Sequence, residues 1–231
     1  MTPLVSCVLL CTYPNRAAYI DEALLSYDLQ TYPHRELLVV NDGVPLAAAR
    51  DDVTILNIDP GRTIGEKRTI GLRVASGAWV ATWDDDDFSF PERLETLVEL
   101  ADAQNASAAR LSRMWIVDAD MRIHCLVDSA AYQTGIVWRA DALALGGYPP
   151  ISYAEDMELS IRLAAAGLGT ALCPEPLYAH RRHGANVTAA RENLADNIRR
   201  ALPHALDAAP AAQARLDFLR AQPRDTLIVP S

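Results

Sequence analysis

Apolar positions along the chain recur with two different periods. Leu4 to Cys11 is a near-continuous apolar, partly β-branched run, the pattern of a strand covered on both faces in a parallel sheet. The polar turn Thr12-Tyr13-Pro14-Asn15-Arg16 follows, and then Tyr19, Ile20, Ala23 and Leu24 mark a helix face. Glu36 to Val40 reads as a second strand that closes on Asn41-Asp42-Gly43, and Val53 to Ile58 as a third. Gly61 to Thr69 reads as a polar loop carrying Arg62, Lys67 and Arg68, and Ile70 to Ala75 as the helix after it. Ala78 to Thr82 is the next apolar run. This alternation predicts an α/β domain with a mostly parallel central sheet and helices on both faces.

Acid is concentrated where the last of these runs ends. Asp84, Asp85, Asp86 and Asp87 follow Trp83 without interruption. Two ionised carboxylates about 4 Å apart repel by roughly 4 kcal/mol at an effective dielectric of about 20. A bound divalent cation turns that cost into binding energy, and carboxylate oxygens suit Mg2+, Mn2+ or Ca2+. An acid run by itself is more often a solvated turn, but its flanks here are structured. Ser89 and Glu92 have the spacing of a capping box, Pro91 suits a first helical turn, and Leu94, Leu97, Val98 and Ala101 recur at helical spacing. The acids are therefore expected at a strand-to-helix crest, the place where open α/β sheets bind ligands.

Composition sets outer limits on function. A chain of 231 residues, half of them hydrophobic, can bury one full core. The formal charge of -9 and a pI near 5.0 argue against a broad grip on nucleic acid. Cys7, Cys11, Cys125 and Cys173 lack zinc-like spacing and read as buried thiols in a reducing compartment. No apolar run reaches the length of a membrane span, and no signal-peptide pattern opens the chain. The expected location is the cytoplasm.

The motifs, taken in order, resemble a known family. Val5-Ser6-Cys7-Val8 through Thr12-Tyr13, Asn15-Arg16, Gln30-Thr31-Tyr32-Pro33, Glu36 to Val40, Asn41-Asp42-Gly43 and Asp84 to Pro91 are similar to the inverting family 2 glycosyltransferases of the GT-A fold. Gly146-Gly147-Tyr148 and Ala154 to Leu159, with Arg162-Leu163 and Gly167, continue the likeness. An Asp-x-Asp motif is common by chance, whereas the ordered combination is specific. The resemblance runs from about the second residue to Thr188. It implies a single Rossmann-like GT-A domain over 1–188, with a nucleotide-binding half at about 1–91 and an acceptor-binding half at about 92–188.

From the resemblance come expected roles. The donor is a nucleotide-diphosphate sugar, the cofactor Mn2+ or Mg2+, and the acceptor a carbohydrate or other hydroxyl-bearing molecule. A cation would stabilise the leaving diphosphate, with Asp86 its ligand and His183, in better register than His180, completing the shell. Asp84 is expected near ribose and metal, and Asp85 fills a variable position. Four acids in a row admit a shift of one, which leaves the division of labour among them open. Thr12 and the backbone would lie near the base, Tyr13 stacked on it, and Asp42 accepting from a ring N–H, which favours a UDP-sugar. Asn41 stands where an acid is common. Pro14 is an extra residue, so the loop that carries Arg16 is expected to bend differently. Lys67 and Arg68 are candidate partners of the diphosphate, as are Arg181 and Arg182, although Thr69 stands where Asn is usual. Asp156 is expected to be the general base of an inverting transfer, with Glu155 holding an acceptor hydroxyl or a helix amide.

Beyond Ala189 the chain turns Ala-rich and is broken at Pro203, Pro210 and Pro223. Residues 189–231 are expected to be a helical extension, with Leu194, Ile198, Leu202 and Leu206 on one face, packed on the domain or forming a homo-oligomer contact. The triplet at Asn186 needs no glycosylation reading without a signal peptide. Two alternatives remain: a sugar-nucleotide nucleotidyltransferase, whose Gly-rich basic loop Thr12 to Arg16 does not match, and a non-catalytic nucleotide- or carbohydrate-binding module.

Overall fold

The computed structural model describes residues 2–15, 17–128, 132–183, 205–224 and 228–230. In chain order the elements are β1 (Val5–Cys11), α1 (Ala17–Asp28), β2 (Arg35–Asn41), β3 (Leu46–Ala48), β4 (Val53–Asn57), α2 (Ile64–Val74), β5 (Trp79–Asp84) and β6 (Phe88–Ser89). There follow α3 (Arg93–Ala103), β7 (Ala108–Leu111), β8 (Arg113–Val117), β9 (Ile123–Asp128), a 3-10 turn (Tyr132–Thr134), β10 (Ile136–Trp138), α4 (Arg139–Ala144) and α5 (Glu155–Ala165). The last are β11 (Thr170–Cys173), β12 (Tyr178–Arg181), α6 (Ala205–Arg220) and β13 (Ile228–Pro230).

Seven strands form the central sheet in the order β11-β7-β10-β5-β1-β2-β4. β1 runs parallel to β2 and β5, and β2 to β4, while β10 is antiparallel to both its neighbours. Because both faces are covered, the central strands are largely apolar. Cys7, Leu9, Leu37 and Val39 pack on one side, and Val8, Leu38, Val40 and Leu72 on the other. The register pairs Cys11 with Asn41 and Leu10 with Asp84. The turns after β1, β2 and β5 therefore open along one edge of the sheet, the expected ligand edge. A second sheet, β6-β12-β8-β9, carries the chain from the acid run to the C-terminal segment, and β13 pairs with β3.

Two local expectations are corrected. The segment read as a loop up to Thr69 is helical from Ile64, because Thr63 and Glu66 make a reciprocal capping box. Ser89 and Glu92 do not make one: Ser89 is in β6, paired with Tyr178, and its hydroxyl accepts from Arg93 instead, so α3 starts at Arg93 without a side-chain cap. Among the apolar positions Met157, Leu159, Ile161 and Leu163 of α5, Leu159 and Leu163 are buried, whereas Met157 and Ile161 are exposed. Residues four apart share a helix face, and those two apart do not.

Leu216 and Leu219 are the buried positions of α6, which packs on β9. Arg220 joins it to α1 by donating from Nε to Glu22 at 3.0 Å. Leu194, Ile198, Leu202 and the side chain of Leu206 lie outside the described residues, as does Asn186. All four cysteines are buried thiols. Among the described residues no helix is long and apolar enough to cross a membrane.

Candidate active site

The turns after β1 and β2 interlock through a side chain at the end of β2. Asn41 is fully buried, and its Oδ1 accepts from the backbone N–H of Tyr13 at 3.2 Å and of Gly43 at 3.1 Å. Its Nδ2 donates to the Val44 carbonyl at 2.8 Å and to Asn57 Oδ1 at 2.9 Å. An aspartate accepts but cannot donate, so the amide found here does what the acid common at this position could not. The signal for it is in the sequence, where Asn41 stands in place of the common acid. Gly43 approaches so closely that a Cβ would sit 2.0 Å from the Tyr13 carbonyl oxygen. Asp42 accepts from the Thr12 hydroxyl, and from Lys67 Nζ at 3.0 Å. Burial pushes the Asp42 pKa up, but the bonds from Thr12 and Lys67 outweigh it and leave the carboxyl below its usual range. Lys67 thus stands at the Asp42 end of the crevice. Arg16 lies outside the described residues.

The acids of the run face different sets of partners, although the Tyr178 hydroxyl reaches both Asp84, at 3.4 Å, and Asp87. Asp84 ends β5, and its Oδ1 accepts from Arg68 Nη2 at 3.1 Å. Asp85 is buried toward Cys11, whose thiol is pushed up to about 12 by burial and then by the Asp85 charge. Asp86 Oδ2 lies 3.0 Å from His183 Nε2, and the His183 ring packs against Tyr19 with centroids 4.7 Å apart. Asp87, almost fully buried, accepts from Tyr178 OH at 2.8 Å and from the Arg181 backbone N–H at 2.7 Å, and lies 2.9 Å from His180 Nδ1. It fastens β12 to the acid run, while Asp86 faces the loop beyond β12. The Arg181 guanidinium turns away from the crevice to pair with Glu22.

Arg68 joins the end of β5 to the start of α5. This buried guanidinium donates from Nε to Glu155 at 3.0 Å as well as to Asp84, and its Nη1 has no partner. Glu155 opens α5 beside Asp156, directly after Ala154, whose φ of 60° is left-handed. The loop before α5 is pinned from two sides. Thr69 exchanges hydrogen bonds with the Tyr148 backbone, accepting at 2.9 Å and donating at 3.1 Å, and Arg162 donates to the carbonyls of Leu145 and Gly147 at 2.5 and 2.7 Å. Gly147, at φ 79°, touches Thr69 so closely that a Cβ would lie 2.8 Å from its hydroxyl. Burial raises the Asp156 pKa to about 6; Arg68 opposes the shift and Glu155 adds to it.

The Asp86 carboxylate, an oxygen donor of the kind that suits Mn2+ or Mg2+, and the His183 imidazole are thus brought together. Among the described residues no group of three His, Cys, Asp or Glu converges as a ready-made metal cage. A family profile, that of glycosyl transferase family 2, matches residues 7–125, just over half of the chain. The chain belongs to that family. As a family 2 glycosyltransferase it is a transferase enzyme. An uncharacterized glycosyltransferase of Haemophilus influenzae is 29% identical over 233 residues, covering 84% of this chain and 70% of that relative. The chain spans between 31% and 42% of the length of other curated relatives that it matches. Two solved structures share the fold. S. aureus TarS in complex with UDP is 18% identical with a TM-score of 0.61, over 78% of this chain and 60% of that one. The mannosyltransferase PcManGT from Pyrobaculum calidifontis, in complex with GDP-Man and Mn2+, is 18% identical with a TM-score of 0.63, over 96% and 74%. The mixed sheet with its parallel core is thus a GT-A fold. In this family 2 chain the matched segment carries Thr12 through Asp87, while Asp156 and His183 lie beyond it.

Proposed function

We propose that this glycosyltransferase moves a sugar from a uridine-diphosphate donor to an acceptor hydroxyl in one inverting, metal-dependent displacement. The observation that carries the reading is the 3.0 Å approach of Asp86 and His183, on the sheet edge shared by Asp42 and Asp84. Asp86 and His183 would hold Mn2+ or Mg2+, leaving positions for substrate oxygens and water, as such cations require. When bound, the cation supplies positive charge to the departing diphosphate.

The chain's own residues supply the rest. Asp42, oriented by Thr12 and Lys67, accepts from the uracil imide, and Tyr13 stacks on the base. A carboxylate has about four lone-pair sites, so two remain for the ligand. Arg68 keeps Nη1 for the diphosphate. Asp156 takes the acceptor proton: with a pKa of about 6 it is ionised at neutral pH yet basic enough to act. With a single carboxylate as base and none placed as nucleophile, configuration inverts.

The two solved neighbours hold different nucleotides, UDP and GDP-Man, and guanine also presents a ring N–H, so GDP-linked sugars form the comparison arm of the test. A donor screen reads nucleoside diphosphate release with and without Mn2+. Release from UDP-sugars that needs the metal and yields a β-linked product from an α-linked donor is expected. Metal-independent release, a preference for GDP-sugars or a retained anomer would overturn the corresponding part of the reading.

A further inference from the structure

Beside Asp156 lies a cavity of ≈ 30 Å³ whose lining includes Arg110, Tyr132, Ile136, Tyr148 and Leu159. That volume holds about two water-sized groups. Arg110 is on β7, and its guanidinium carbon stands 4.5 Å from the centroid of the Tyr132 ring. The guanidiniums of the buried arginines all have acceptors, whereas Arg110 is half-buried. Arg68 has Asp84 and Glu155, Arg181 has Glu22, and Arg93 has the Thr82 carbonyl and Ser89 hydroxyl. The Arg110 side chain has no hydrogen bond or ion pair among the described residues, and its Nε is buried without a partner. Burial holds its pKa below the usual arginine range, the Tyr132 and Asp156 groups only partly offsetting the loss of solvent. A guanidinium cannot relieve this by giving up its proton, and its planar fork of donors matches a carboxylate in two-point contact.

We propose that Arg110 anchors an anion subsite, and that the carboxylate of a uronic-acid-type sugar occupies it during transfer. The inference rests on the sugar-transfer reading above and names the substrate class for it. The two oxygens of a carboxylate match the size of the cavity. A monoanion fits better than a doubly charged phosphate, because Asp156 lines the same cavity and Coulomb repulsion grows with the charge brought against it. Arg110 is then a specificity residue, satisfied by the substrate rather than by the chain. The carboxylate belongs either to the transferred sugar or to the acceptor sugar, and two arms separate these sources.

In the first arm, calorimetry in Mn2+ compares UDP, UDP-glucose and UDP-glucuronate. In the second, saturation-transfer NMR compares free glucose and free glucuronate on the UDP-loaded protein. A preference of about tenfold to a hundredfold for the carboxylate form is expected in one arm, the range of a charged hydrogen bond. Arg110→Gln should abolish the preference and Arg110→Lys should keep part of it. The readout is the ratio of the two affinities within one variant, which a merely structural role would not move. A preference in the first arm assigns the carboxylate to the donor, and one in the second assigns it to the acceptor. If UDP binds but neither arm favours the carboxylate, or the preference survives Arg110→Gln, the subsite is refuted while the sugar-transfer reading stands. If UDP itself does not bind, that reading fails and this one falls with it.

Discussion

Asp86 Oδ2 and His183 Nε2 lie 3.0 Å apart although 97 positions separate them in the chain. Their meeting depends on β12, which runs between β6 and β8 in the second sheet and delivers the loop beyond Arg181 to the end of β5. If the pair holds the cation, Asp86→Asn should abolish the Mn2+ dependence of UDP binding, and His183→Ala should weaken it. Neither change should lower the melting temperature greatly, since the first relieves charge repulsion. Calorimetry with and without Mn2+ checks this, and unchanged metal dependence in Asp86→Asn would sink the assignment.

The neighbouring acid should behave in the opposite way. Asp87 is spent on Tyr178, His180 and the Arg181 backbone, so Asp87→Ala leaves those groups buried without their acceptor. A loss of about 3–5 kcal/mol in urea unfolding is expected, typical of breaking a buried charged network. A variant as stable as the wild type would show that Asp87 is not the fastening of β12.

Asp42 is expected to contact the nucleoside and not the diphosphate. Asp42→Ala should therefore weaken UDP binding more than it weakens binding of inorganic pyrophosphate. Removing one hydrogen bond to a charged group costs about 1.5–3 kcal/mol, or roughly tenfold to a hundredfold in UDP affinity. Equal losses for both ligands, measured by calorimetry, would make Asp42 a turn residue only.

Asp156 links rate to pH. The base acts when ionised, so kcat/KM should fall as pH drops through about 6, where burial has placed its pKa. Asp156→Asn should remove that limb and lower turnover by about 10²- to 10⁴-fold, with donor affinity little changed. Stability runs the other way. A carboxyl whose pKa is raised on folding contributes most when protonated, below its ordinary value of 3.8, and this contribution is lost as pH rises through about 6. At pH 8 the ionised form is a cost that Asn lacks, so the variant should be at least as stable as the wild type there. A near-normal rate, or a pH limb that persists in the variant, would point to another base.

Much of the fold was legible because burial on both faces writes itself into the chain. β1, β2 and β5 had to carry near-continuous apolar runs, and the polar turns after them marked the ligand edge. The acid run was equally visible, as an expense of charge at one crest. Helix starts were less so. Thr63-x-x-Glu66 carried a true capping box that the polar surroundings concealed, and Ser89-x-x-Glu92 carried the same spacing without forming one, because β6 had a strand to pair with.

The division of labour among Asp84, Asp85, Asp86 and Asp87 stays open in a run of four identical side chains. Strand pleat and turn aim each carboxylate in its own direction, and the partners they meet come from α2, β1, and the segment of β12 with the loop after it. The same holds for Asn41, whose amide is needed only once two turns approach, and for Arg68 and Arg110. Sequence registers what each residue is and how its neighbours repeat. Whether a cation drawn in from solvent finds two carboxylates, as the buried Arg68 does, or none, as the half-buried Arg110 does among the described residues, depends on which strands become neighbours, and that is settled only when the sheet closes its order.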